Sequence, residues 1–117
     1  MTAAPDEVTE RLDQLIALTE RLTGIVAEQA QAFEARRPQD AALRVEETGR
    51  LANLYRHESA RIRGNPALIS SASPAQRLRL TRATEAFDAV LARQARAVGA
   101  VKTVTEVLVR AIAEEVA

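Results

Sequence analysis

Residues 74–116 read PAQRLRLTRATEAFDAVLARQARAVGAVKTVTEVLVRAIAEEV, and this stretch decides the fold. Within it Leu80, Thr84, Phe87, Leu91, Gln94, Val98, Val101, Thr105, Leu108 and Ile112 follow one another at alternating steps of four and three. Such spacing places them on one stripe of an α-helix, the heptad seam that a neighbouring helix covers. Val90, Val104 and Val107 add a flank, and no proline breaks the run. Ser73 can accept a hydrogen bond from a free N–H of the first turn, and Pro74 at the first helical position loses nothing. The spacing predicts a helix over about residues 74–116, about 65 Å long at 1.5 Å per residue.

Working back along the chain, Arg63-Gly-Asn-Pro66 is a break. Gly64 suits a left-handed cap, and Pro66 stops a restart. Leu68 and Ile69 lie in the loop that follows and are expected to tuck under the bundle end. Before the break, Leu43, Leu51, Leu54, Tyr55 and Ile62 give a weaker apolar pattern over about residues 39–63, interrupted by Glu47 and Glu58. Pro38 fits the first turn of that helix and disfavours helix at Arg37. Upstream, Val8, Leu12, Leu15, Thr19, Leu22, Val26, Gln29 and Phe33 form a second heptad seam, widened by Ile16, Leu18 and Ile25. It predicts a first helix over about residues 6–36. Gly24 weakens it and suggests a close helix approach.

The expected architecture is therefore all-α. Three long helices, about 6–36, 39–63 and 74–116, form an antiparallel bundle with coiled-coil-like packing, in one domain over residues 1–117. Apolar residues make up 47% of the chain but aromatics only 3%, so the core must be aliphatic. Leu, Ala, Arg, Glu and Gln, abundant here, are good helix formers.

The lengths do not match. The second helix spans roughly 37 Å and the third roughly 65 Å. If the third turns back beside the second, it has no neighbour beyond about residue 100. That overhang is not polar: it carries Val101, Val104, Val107, Leu108, Val109 and Ile112. Burying one such side chain is worth roughly 1.5–3 kcal/mol, and leaving several in water makes a conspicuous patch. Val101, Val104, Thr105, Leu108 and Ile112 are accordingly the expected partner-binding residues. A client helix or a second copy of the chain fits there, and the competing arrangement slides the first helix up to cover it.

Catalysis is not expected. There is no cysteine, and His57 is the single histidine, beside Arg56 and Glu58 and expected in solvent. Neither a zinc site nor a di-iron Glu-x-x-His arrangement can be assembled. The acidic pairs Asp6-Glu7, Glu46-Glu47 and Glu114-Glu115 point about 100° apart on helices and do not converge. The four glycines stand alone, so no phosphate-cradling loop and no cofactor is expected. Net charge is zero but unevenly placed. Residues 1–40 hold eight acids against four bases, and residues 41–96 hold five against ten arginines. An acidic first helix beside basic neighbours accounts for this. A nucleic-acid surface is disfavoured because no aromatics interleave with the arginines. No apolar run of about 18 residues predicts a membrane span, and Met1 to Asp6 carries no signal-peptide pattern. The expectation is a cytoplasmic protein that binds another protein.

The layout resembles the FlgN-type flagellar export chaperones, and in detail their short alphaproteobacterial FlgN-like or FlbY-like members. The similar segments are Leu51-Ala-Asn-Leu-Tyr-Arg-His-Glu58, the Arg63-Gly-Asn-Pro66 break and Val104-Thr-Glu-Val-Leu-Val-Arg-Ala-Ile112. The resemblance implies a cytoplasmic chaperone that holds hook–filament junction proteins, through their C-terminal segments, before type III export. It also implies a binding region on the last helix, Val101 to Ile112 here. An asparagine frequent in the third helix of the broader family has no clear counterpart; Gln94 is the nearest candidate.

Overall fold

The computed structural model describes the backbone of residues 5–116 and the side chains of residues 7–103 and 106–114. The described residues form five helices and no strand: α1 (Pro5–Glu34), α2 (Pro38–Ala42), α3 (Val45–Arg63), α4 (Ala67–Ser70) and α5 (Pro74–Val116). Three are long. The radius of gyration is 19.4 Å, against about 13 Å for a globule of this length, and the molecule measures 71 × 24 × 22 Å. It is a rod, and α5 alone runs nearly its full length.

α1 is the central element, packed chiefly against α5 and also against α2 and α3. Its seam is buried as the spacing predicts. Val8, Leu12, Leu15, Thr19, Leu22, Val26 and Gln29 are buried, Phe33 is half-buried, and Ile16 and Ile25 are buried beside them. α3 returns against α1, with Ile62 joining Val8, Leu12 and Leu15. α5 then runs parallel to α1. Gln76 bonds the Thr9 carbonyl (2.8 Å) and Asp13 (3.0 Å) near one end, and Arg93 meets Glu34 at the other. Between them Leu22, Val26 and Phe87 form a second cluster, where Tyr55 of α3 meets Phe87 edge to face at 5.2 Å.

The second predicted helix is two pieces. Leu43 and Arg44 interrupt it, with Arg44 at φ −118°, ψ 20°. Ala41 of α2 is buried, whereas Thr48 and Glu47 of α3 are bonded to Gln29 and Arg21 of α1. The break re-aims the chain between these two anchorings. Leu43, the expected seam residue, is 81% exposed, and the small Ala41 takes the inward place. Leu54 is also half out of the core.

The left-handed cap occurs at a different helix end. Gly64 is right-handed (φ −73°, ψ −10°), and its N–H simply continues the helix to the Ala60 carbonyl at 2.9 Å. Arg36 instead adopts φ 61° after α1. Its N–H bonds the Phe33 carbonyl (3.0 Å) and that of Arg37 bonds the Ala32 carbonyl (2.8 Å), the paired pattern of a Schellman cap. The loop after Gly64 holds the one-turn α4, which buries Leu68 and packs Ile69 on the same cluster. Ser73 caps α5 as expected, its Oγ accepting from the Gln76 N–H at 3.1 Å. Gly24 faces open space, so no close helix approach requires it.

The α5 seam is displaced from the predicted one at every second position. Besides Thr84 and Arg93, the covered or half-covered residues are Gln76, Leu80, Ala83, Phe87, Val90, Gln94, Ala97 and Val101. Leu80, Phe87, Gln94 and Val101 are shared with the predicted stripe. At the alternate positions Ala83, Val90 and Ala97 turn inward, leaving Leu91 (40% exposed) and Val98 (42%) open and Thr84 half-covered. Alanines on the inner seam let α5 lie close to α1, whose own side chains fill the space. At 97 and 98 a hydropathy pattern prefers valine to alanine, whereas the strict four-and-three step selects Thr84 and Leu91 and leaves Val90 only as a flank.

Candidate functional site

A chain of polar contacts crosses the rod just before α1 ends. Gln94 of α5 donates to Gln29 Oε1 (2.9 Å), Gln29 Nε2 donates to Thr48 Oγ1 (3.0 Å), and Thr48 donates to the Arg44 carbonyl (2.8 Å). Among the described residues no fully buried side-chain N or O atom is left without a partner, and this layer sets residues of three helices level with one another. Around it charges tie the elements together. Arg44 bridges Glu28 and Glu47, Arg21 also meets Glu47, and Arg93 grips both oxygens of Glu34 at 2.5–3.2 Å. Hydrogen bonding from Arg93, helped by the charges of Arg93 and Arg96, holds the Glu34 carboxyl below the usual carboxylate range. Bonds from Arg21 and then Arg44 do the same for Glu47.

At this level α1 stops and α5 continues. Where they part, Phe33, Glu34, Arg36, Pro38, Ala97, Ala100 and Val101 line an open, mostly apolar groove of about 450 Å³. The Schellman cap builds it, because the reversal at Arg36 carries Pro38 alongside Phe33. Beyond the groove α5 projects alone among the described residues. Val107 and Leu108 are 58% exposed, Val109 62% and Ile112 63%.

Of the five sequence-predicted binding residues, Val101 is half-buried and lines the groove, and Leu108 and Ile112 lie open on the projection. The side chains of Val104 and Thr105 lie outside the described residues. Sequence reasoning did not select Phe33, Pro38, Ala97 or Ala100 for the site. The available signal was a pair of alanines on α5 facing the residues around the Pro38 turn. His57 is exposed, as expected. Among the described residues no group of three or more His, Cys, Asp or Glu could hold a metal, and no helix is long and apolar enough to cross a membrane.

These features define an elongated all-α protein whose last helix carries an aliphatic surface past the end of its own core. Over 117 residues the chain is 62% identical to the flagellar basal-body protein FlbY of Caulobacter vibrioides, a match covering all of this chain and 78% of that protein. The chain belongs to the FlbY family. No family model and no solved structure matches it.

Proposed function

We propose that the chain is a cytoplasmic flagellar export chaperone that acts by binding, not by catalysis. It holds an amphipathic helical segment of a hook–filament junction protein along α5 from the groove at Val101 to Ile112. The observation that carries this reading is the bare aliphatic projection. Four large side chains, each more than half exposed, lie within six residues of a helix that has left its companions. Solvated monomers rarely leave such a contiguous patch, and a client helix presenting residues at i, i+3, i+4 and i+7 fits it. The flagellar assignment rests on the similarity to FlbY, and the export role on the resemblance to FlgN-type chaperones.

The test is a calorimetric titration with the C-terminal segments of the junction proteins from the source organism. One-to-one binding to the wild type, lost in Leu108→Glu/Ile112→Glu with helicity unchanged, is the expected result. No binding by the wild type to any of these segments refutes the chaperone reading. A second reading is a self-associating scaffold or adaptor without an export role, for which the same exposed aliphatic projection would be the pairing surface. It predicts a stable homo-oligomer indifferent to junction-protein tails.

A further inference from the structure

The projection carries more apolar surface than one neighbour covers. Val107, Leu108 and Val109 are consecutive and all more than half exposed. At about 100° per residue they span roughly 200° of the helix, whereas a bundle helix facing one core needs a stripe a little over 100° wide. The occupant must therefore reach α5 from two sides. This chain itself supplies such an occupant: α5 and the adjoining end of α1, which together wall the groove.

The spacing agrees. Val101, at the groove, and Ile112, near the tip, are eleven residues apart, or about 17 Å of helix. In a twofold antiparallel pair, each Ile112 reaches the other copy's groove beside Ala97 and Ala100. Each projection then lies between the partner's α5 and the end of its α1. The groove is mostly apolar, and the tip offers an aliphatic knob that is 63% exposed. Knob and hole on one surface are what an isologous interface requires.

The area sets the strength. An aliphatic side chain contributes roughly 100 Å² when fully covered, so Val98, Val107, Leu108, Val109 and Ile112 at their observed exposures offer roughly 300 Å² per copy. With somewhat over half of an interface apolar, two copies imply roughly 1,000 Å² in total, at the lower bound for a specific contact.

We propose that in the free protein the projection is covered by a second copy, in a reversible antiparallel dimer that seats Ile112 in the partner's groove. The dimer uses the surface assigned above to the client, so client and second copy exclude each other.

The chain has no cysteine, which makes the test direct. Ala100→Cys/Ile112→Cys is oxidised at about 100 µM, with each single variant alongside. The two positions on one helix are far too distant to bridge within a chain. A covalent dimer from the double variant, with little from either single one, is expected. Sedimentation over a dilution series should show dimer giving way to monomer in the micromolar range. Ile112→Glu should be monomeric throughout with an unchanged helical spectrum. A wild type that stays monomeric at about 200 µM overturns the proposal, as does Ile112→Cys cross-linking to itself as readily as the double variant. A monomer that still binds junction-protein segments sinks the dimer alone. A dimer that ignores those segments sinks the chaperone reading alone.

Discussion

Three substitutions in α5 test its packing register. Leu91 is 40% exposed, while Phe87 and Ala83, four and eight residues earlier, are 9% and 7% exposed. Truncating a buried leucine to alanine costs about 2–5 kcal/mol, part of it for the cavity left behind. At Leu91 two-fifths of the side chain is already in water and solvent fills the space, so Leu91→Ala should cost about 1 kcal/mol or less. Phe87→Ala removes a ring from a closed cluster and breaks its edge contact with Tyr55, and should cost about 3–5 kcal/mol. Ala83→Leu forces extra carbons into the closed seam and should cost about 1–3 kcal/mol. Had Thr84, Leu91 and Val98 faced the core, the first and third results would exchange. Urea unfolding followed by far-ultraviolet circular dichroism gives these values, provided the urea dependence is common to all variants. Measurements belong at submicromolar protein, where self-association does not contribute. A loss above about 2 kcal/mol for Leu91→Ala, with none for Ala83→Leu, refutes the register.

Gly24→Ala should stabilise the protein by about 0.5–1 kcal/mol, because the added methyl meets open space in mid-helix; a loss in the same unfolding assay would reveal a contact there. Ser73→Ala should cost about 1 kcal/mol by removing the acceptor for the Gln76 N–H, and an unchanged unfolding midpoint contradicts it. Glu34 and Glu47 ionise more readily folded than unfolded, so their stabilisation is complete above the ordinary carboxylate value of 4.5 and is lost as pH falls through their lower folded values. Thermal melts should therefore drop in acid, and Glu34→Gln/Glu47→Gln should flatten that drop; an identical acid profile in the double variant counts against these pairs.

The helical class and the three long helices were legible because Leu, Val and Ile recur at heptad spacing in α1 and because Pro38, Pro66 and Pro74 punctuate the chain. The cap at Ser73 and the tuck of Leu68 also followed from local chemistry. What escaped was decided between elements. Ala83 and Ala97 are inward because α1 is near, and nothing in α5 alone distinguishes them from Ala86 or Ala95 on the surface. Leu43 reads as core by composition, yet the chain bends there to satisfy contacts that Ala41 and Thr48 make with α1. The left-handed residue is an arginine, which no residue preference selects over the glycine at position 64. For the candidate site, the helix lengths pointed to a projection past the second helix, but α5 packs chiefly on α1, and it is the end of α1 at Glu34 that sets where the projection begins. The groove at its root required the Schellman reversal at Arg36, a local cap that an arginine gives no signal for.

Hydrogen exchange along α5 tests the central assignment most directly. In dilute protein, amides of residues 103–114 should exchange far faster than those of residues 80–97, since no described neighbour protects them, and should slow when a binding segment or a second copy is supplied. Equal protection of the two stretches in the dilute monomer would mean that the projection belongs to the chain's own core.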